Sequence, residues 1–575
     1  MDKRHLWKIG GEAGFGIMTT GQMFSKIATR HGYQIFEYFE YPSLIRGGHN
    51  TVEIIVSSDP VSSTKSIIDI LVCLNNQTYQ FHKHRLSKNS LVVYDSSDFN
   101  IDEGDILKID LPFKRFLKEE GAPLVMMNNI AMGASLALMG WDLKILNQMI
   151  TNQFQKKGED IVKKNEKMAQ LGFDFITTKY NDKILTLPET VIKEPQLVLT
   201  GNDAFALGSI IADCRLYSAY PMTPSSTVLT TLADYAEKVG MVVRHAEDEI
   251  SVINTALGAA FAGCRAAVGT SGGGFALMVE SVSLAGIAEI PIVIFLSQRP
   301  GPATGLPTWT EQGDLLFAIH SGHGEFPKIV LAPGDVDEMY ECTTQAFDLA
   351  DIYQTPVIIL SDKLLSESHK SIMMGKFKLF AQNYKKRRGK IINHSAEKKY
   401  LRYKITDDGI STMLIPGFEG VYYQANSYEH VEDGHTTENA QDRTAQVKKR
   451  NNKTATYLRN DFKMPKIYGD INKASVVFVS WGSNKGAILA AMETLNNRAI
   501  LSACLHFTHV FPLDSERIKT LFSNNKRYIL VENNSHGQFG KLLRQETGIN
   551  IKEKILKFDG RPIWPEEIIE YVNLK

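Results

Sequence analysis

Glu247, Asp248 and Glu249 form a run of three carboxylates in HAEDEIS (residues 245–251), directly ahead of the small-residue segment INTALGAAFAG. Acids in a first helical turn complement the helix dipole, which accounts for one or two of them. It does not account for the segment that follows, whose Gly and Ala side chains let another backbone pack very close. A carboxylate buried at such a seam is made more basic by desolvation and can share a proton with a ring nitrogen.

Other reactive types stand nearby in sequence. Arg299 ends the apolar run IPIVIFLSQ and enters the rigid loop RPGPATG, where a fixed guanidinium suits bidentate capture of a carboxylate. A structural ion pair explains the same arginine equally well. Thr223 in YPMTPSS and Thr304 in the Pro/Gly loop are hydroxyl donors in similarly stiff settings, whereas Tyr220, ahead of Pro221, reads as packing. GTSGG (residues 269–273) matches GxSxG between a strand and a helix, so a serine hydrolase with Ser271 as nucleophile is the competing chemistry. Small residues in succession also occur where backbone passes close to a cofactor or subunit, and no Asp and His for a triad stand out. GGEAGFG (residues 10–16) has the spacing GGxxGxG, which is neither a Rossmann fingerprint nor a P-loop. Gly11, Gly14 and Gly16 can bring backbone N–H groups to a phosphate, or simply make a tight turn. Arg46 in RGGHN offers a flexible cation, or a surface hairpin.

The elements that must position these groups follow from pattern. With 575 residues the chain exceeds one hydrophobic core and suggests three or four domains. Formal charge balances to zero, so no global field argues for nucleic acid or a membrane surface. No apolar run reaches the ~20 residues of a bilayer span, and residues 1–16 carry no signal-peptide core, so the cytoplasm is the expected compartment. Five scattered cysteines, none in CxxC, argue against a disulfide framework, a zinc site or an iron–sulfur cluster built by this chain. Five buried thiols are expected.

Residues 1–195 alternate strands (HLWKIG, TVEIIVSS, DILVCLN, LVVYDSS) with helices, which predicts a mainly parallel α/β sheet. Residues 196–375 repeat the grammar with CRLYSAY, GMVVRHAE, RAAVGTS, IPIVIFLSQ, KIVLAP and TPVIILSD. These nearly continuous apolar runs belong to a sheet covered on both faces. Residues 376–464 are polar and mostly basic, expected to be largely a solvated interdomain or intersubunit strap. Residues 465–575 return to α/β.

Taken together, these segments resemble the 2-oxoacid:ferredoxin oxidoreductases, thiamine diphosphate enzymes that oxidatively decarboxylate 2-oxoacids with coenzyme A. The resemblance spans essentially the whole chain and is to an alpha subunit with a gamma-like domain fused in front. GGEAGFG with EYPSLIRGGHN resembles the gamma signature. YPMTPSS, EDEI, TSGGG and RPGPATGLPT resemble the pyrimidine-binding domain. YLRYKITDDGIS and EHVEDGHTTENAQDR resemble the interdomain segment, and VSWGSNKG, HFTHVFPL, VENNSHGQFGKLLR and FDGRPIWPEEI the transketolase C-terminal-like domain. The implied architecture is three α/β domains: gamma-like (1–195), pyrimidine-binding with a parallel sheet (196–375) and transketolase C-terminal-like (465–575), with 376–464 between the last two.

The resemblance implies Glu249 as the catalytic glutamate that hydrogen-bonds N1′ of the aminopyrimidine and favours its imino tautomer. It implies Arg299, Thr223 and, more weakly, Thr304 at the substrate, and Tyr220, Ser271 and Gly272 as cofactor contacts. Coenzyme A or its phosphates would meet Gly11, Gly14, Gly16 and Arg46. The EYPSLIRGGHN form and the domain order lean toward 2-oxoglutarate over pyruvate, branched-chain or aryl 2-oxoacids. No GDG…N segment for Mg²⁺ and diphosphate occurs in the sequence. Mg²⁺ and a [4Fe-4S] cluster are therefore expected on a beta subunit, with ferredoxin as electron carrier and an (alpha-beta)2 assembly. This chain would be inert alone, and no metal ligand is assigned to it. Oxidative and reductive directions remain open, as does a catalytically silent scaffold.

Overall fold

A computed structural model of the protein describes residues 4–43, 48–101, 104–190, 192–395, 399–523 and 525–574. The chain forms two compact units. One comprises Met1–Leu199, Ser368–Leu379 and Trp564–Glu567; the other comprises Thr200–Glu367, Phe380–Ile563 and Ile568–Lys575.

The first unit holds an eight-stranded sheet. Arg4–Glu12 runs parallel to Ile70–Cys73, which continues in parallel to Leu91–Tyr94 and Leu107–Asp110. On its other side Arg4–Glu12 is antiparallel to His49–Ser57, which is antiparallel to Gln34–Glu40. The strand His369–Met373 then pairs antiparallel with both Gln34–Glu40 and Gln196–Leu199. The expectation of a mainly parallel sheet is corrected here. Residues 41–48 are too few for the crossover that a parallel pair requires, so Gln34–Glu40 and His49–Ser57 make a hairpin. The core includes Trp7, stacked on Phe24 at 4.2 Å between ring centroids, with Trp141 beside it.

The second unit contains a seven-stranded and a five-stranded sheet. In the first, Ile329–Leu331, Pro356–Asp362, Ile292–Gln298, Arg265–Thr270, Cys214–Ala219 and Val242–His245 lie side by side, all parallel. Each matches one of the six apolar runs read from the sequence. Arg265–Thr270, Ile292–Gln298 and Pro356–Asp362 are buried throughout, as a sheet covered on both faces requires. The edge strand His509–Phe511 adds antiparallel to Ile329–Leu331. The five-stranded sheet runs Lys466–Tyr468, Ser502–Phe507, Val476–Trp481, Arg527–Glu532, Glu553–Leu556, parallel except at its first edge. The fold class is thus α/β, organised on three large sheets.

The polar stretch after residue 376 departs from the solvated strap expected of it. Its helix Ala440–Asn460 buries Gln446, Lys449, Arg450 and Lys453. Lys449 and Lys453 bring their Nζ atoms to 2.5 and 2.6 Å from the two carboxylate oxygens of Glu289, itself fully buried. Arg450 grips Glu429 through both guanidinium nitrogens at 2.9 and 2.8 Å. A charge run is solvated only when nothing in the interior answers it, and here the buried Glu289 and the half-buried Glu429 do.

All five cysteines are free, but Cys264 is exposed where four others are buried, which corrects the expectation of five interior thiols. Among the described residues, no helix is long and apolar enough to cross a membrane.

Candidate active site

Four loops at the C-terminal ends of adjacent parallel strands converge in the second unit. In open α/β sheets this edge is where ligands bind. Beyond Val242–His245, the acid run separates into distinct roles. Asp248 is the N-cap of the helix Glu249–Phe261 and accepts the Ser251 N–H at 2.8 Å. Glu247 is exposed. Glu249, the first helical residue, is only 4% exposed, and its Oε1 has no hydrogen-bond partner among the described residues.

Beyond Arg265–Thr270, Ser271 caps the helix Gly272–Ile287 without a side-chain hydrogen bond. Its hydroxyl is fully buried and, among the described residues, has no hydrogen-bond partner, so no histidine is bonded to it there as a hydrolase nucleophile would need. Glycine at two of the next three positions has a packing reason. A Cβ on Gly274 would stand 2.5 Å from Glu249 Oε1, and one on Gly272 2.6 Å from Asp314 Oδ2. Gly273 faces open space.

Beyond Cys214–Ala219 comes Tyr220, 40% exposed with its ring 6.1 Å from that of His245, and then half-buried Thr223. Beyond Ile292–Gln298 comes Arg299, which donates from Nη1 to the Thr223 carbonyl at 2.7 Å. Arg299 and Thr223 therefore meet through the guanidinium and a backbone carbonyl. Thr304 lies exposed in the following loop. That loop is pinned from the five-stranded sheet's side of the unit. Gln312 donates to the Trp481 carbonyl at 3.1 Å and accepts from Asn484 at 2.6 Å, and the Arg561 guanidinium stacks 3.2 Å from the Trp309 ring centroid.

Sequence reading missed two acids here. Burial pushes the Asp314 carboxyl up to about 6 against the pull of Arg299. Burial, and then the charge of Asp314, pushes Glu311 up to about 7. Burial lowers the Arg299 guanidinium, and Asp314 opposes that. Both acids sit in TEQGDLL, just past the Pro/Gly loop, and the start of a helix at Leu315 was the available signal.

The glycine turn lies in the first unit. Gly11 is buried within the strand Arg4–Glu12, Gly14 is exposed at φ 101°, and Gly16 at φ 73° is the N-cap of Ile17–Arg30. Arg46 lies outside the described residues.

Comparison with known proteins agrees along the whole length. The family model "Pyruvate flavodoxin/ferredoxin oxidoreductase, thiamine diP-bdg" matches residues 208–449, and "Pyruvate ferredoxin/flavodoxin oxidoreductase" matches residues 6–175. A 2-oxoacid:ferredoxin oxidoreductase subunit alpha from Saccharolobus solfataricus is 34% identical over 99% of this chain and 97% of its own. The 2-oxoglutarate synthase subunit KorA of Archaeoglobus fulgidus is 29% identical over 65% of this chain and 98% of its own. The solved 2-oxoglutarate:ferredoxin oxidoreductase from Magnetococcus marinus, with 2-oxoglutarate, coenzyme A and succinyl-CoA bound, superposes with a TM-score of 0.94 at 29% identity over all of both chains.

Proposed function

The chain belongs to the family of 2-oxoacid:ferredoxin oxidoreductase alpha subunits, and from that premise we propose that it supplies the proton-handling half of a shared thiamine diphosphate site acting on 2-oxoglutarate. The carrying observation is the buried Oε1 of Glu249, which has no hydrogen-bond partner among the described residues. An orphaned buried acceptor costs about 1–3 kcal/mol unless a ligand pays for it. A protonated ring nitrogen of an aminopyrimidine is a donor of the right kind. Gly273 beside it leaves open space, and Gly274 admits no side chain.

When bound, thiamine diphosphate supplies the nucleophilic carbon and the electron sink for decarboxylation. The chain's own residues do the rest of this half. Glu249 Oε1 holds a proton at the pyrimidine edge, and Tyr220, Ser271 and Gly272 line the same crevice. Arg299 orients the carboxylate of the 2-oxoacid, with the Thr223 hydroxyl on its carbonyl side and Thr304 as a lesser contact at the rim. The glycine turn around Gly14 and Gly16 is the proposed phosphate contact for coenzyme A in the first unit.

The remaining half is assigned to a beta subunit with Mg²⁺, the diphosphate anchor and a [4Fe-4S] cluster that passes electrons to ferredoxin. The surface beside Glu249 favours such a partner. The helix Glu249–Phe261 exposes Ile250, Asn254 and Gly258 at four-residue spacing, and Gly272–Ile287 exposes Gly273, Ala276 and Leu277. Small and apolar side chains here permit close approach of another backbone. 2-Oxoglutarate is favoured over other 2-oxoacids by the likeness to KorA and to the Magnetococcus marinus enzyme.

The test is reduction of a viologen dye by the co-purified alpha–beta complex with a panel of 2-oxoacids and coenzyme A. Dye reduction with 2-oxoglutarate far above the others is expected. Turnover by this chain alone, with thiamine diphosphate and Mg²⁺ added, would refute the half-site.

A further inference from the structure

Asn202 is the second residue of the helix Gly201–Ile211 and is fully buried. Its seat is fixed. A Cβ on Gly201 would lie 2.3 Å from the Leu365 carbonyl oxygen, so the first turn rests directly on backbone. Thr200 and Asp203 close a capping box over the same turn, with bonds of 3.0 Å each way. From this mount the Asn202 carboxamide reaches the YPMTPSS loop. Its Nδ2 donates to the Pro224 carbonyl and to the Thr227 hydroxyl, both at 2.7 Å. A carboxamide carries two N–H donors on one nitrogen, and both are matched here. A carboxylate has none to offer, and a hydroxyl only one.

The preceding carbonyl is the one that Arg299 holds. Arg299 Nη1 donates to the Thr223 carbonyl at 2.7 Å, so two successive carbonyls are gripped from two different elements. The ring of Pro224 locks the φ torsion between them, and a shift of one carbonyl is passed to the other. Attachment of the two helices does not explain this arrangement. Asp203 Oδ1 already accepts the Thr231 hydroxyl at 3.2 Å, which ties Gly201–Ile211 to Ser226–Val239 from the next residue along. The bond from Asn202 to Pro224 acts on the loop instead.

We propose that Asn202 is a positioning residue for substrate capture: it anchors the Pro224 carbonyl and thereby fixes the Thr223 carbonyl that orients the Arg299 guanidinium. Fully buried, it acts through Arg299. The proposal rests on the reading of Arg299 as the substrate-binding arginine.

The experiment uses the assembled alpha–beta complex and reads kcat, KM for 2-oxoglutarate and KM for coenzyme A. Asn202→Ala is expected to raise KM for 2-oxoglutarate roughly three- to tenfold, the factor of one buried hydrogen bond, with a smaller change in kcat. KM for coenzyme A is expected to stay at the wild-type value, which a general loosening of the chain would not allow. Thr231→Val, which removes the neighbouring tie between the helices, is expected to leave both KM values unchanged. In an Arg299→Ala background, Asn202→Ala is expected to change KM for 2-oxoglutarate no further. Asn202→Ser, which keeps one donor in the same space, is expected to fall between wild type and Asn202→Ala. It carries the comparison if the alanine variant does not assemble. If Arg299→Ala raises KM but Asn202→Ala leaves it unchanged, or raises it by the same factor in both backgrounds, the positioning role is overturned and the arginine's stands. An equal rise from Thr231→Val overturns it as well, since the role would then be helix attachment. If Arg299→Ala leaves KM unchanged, both readings fall.

Discussion

The Glu249 carboxylate and Gly274 are packed so that neither position tolerates enlargement: a methyl group on Gly274 would lie 2.5 Å from Oε1 and 2.8 Å from Cγ of Glu249, and would also meet the Thr270 hydroxyl. These neighbours are held by a helix and a strand end and cannot retreat together. Gly274→Ala is expected to cost about 1–3 kcal/mol of stability. By shifting the carboxylate, it is also expected to lower kcat of the complex about 100-fold. Gly273→Ala is the control, since a Cβ there meets nothing within 4 Å. It should unfold at the wild-type midpoint, and an equal loss of stability in both variants would defeat the argument.

Glu249→Gln tests the proton itself. The amide keeps the size and can still sit against Gly274, but it cannot hold a proton at Oε1. Turnover is expected to fall by about 10²–10⁴-fold, with the complex eluting at its normal size on gel filtration. Activity within a few-fold of wild type would remove Glu249 from the chemistry.

Much of the strand-end arrangement is legible in the sequence. The six parallel strands announce themselves as apolar runs because both their faces are covered, and the strand-end loops then fall where YPMTPSS, HAEDEIS, TSGGG and RPGPATG stand. Which of Glu247, Asp248 and Glu249 turns inward cannot be displayed by three adjacent acids in one dimension; the fold buries Glu249 and leaves the other two exposed. Asp314 was illegible for a similar reason. Its side chain does not cap the helix Leu315–His320, because Gln538, supplied from far along the chain, takes the Leu316 N–H. The strand His369–Met373 is invisible as a partner of Gln34–Glu40 until the chain folds back. The buried lysines of Ala440–Asn460 look solvated because the carboxylate that neutralises them, Glu289, lies 160 residues earlier.

Arg299→Ala is expected to raise KM for the 2-oxoacid with a smaller effect on kcat. A charge-assisted pair of this type is worth about 1.5–3 kcal/mol, so KM should rise by roughly 10- to 150-fold. Arg299→Lys should recover only part of this, because a point charge lacks the planar fork. It would also lose the set geometry of the bond to the Thr223 carbonyl. An unchanged KM in both variants would take Arg299 out of the pocket.

Glu289 bears on stability. Burial alone would raise its carboxyl, but Lys449, Lys453 and Arg402 outweigh burial and hold it below the usual carboxylate range. Replacing it with Gln leaves two lysines in the interior facing a neutral amide, and breaking a buried pair in this way costs about 3–5 kcal/mol. Glu289→Gln is therefore expected to lower the thermal midpoint well beyond the effect of an exposed-site control such as Glu516→Gln. Adding Lys449→Met to Glu289→Gln should return part of the loss, since the expense lies in the uncompensated charge. The pH dependence has a definite sign. A group whose folded pKa is depressed contributes in full above its unfolded value and loses that contribution as the pH falls. The wild type should thus lose more stability on acidification than Glu289→Gln does. Parallel acid curves for the two proteins would show that Glu289 is not the ionised centre of this cluster.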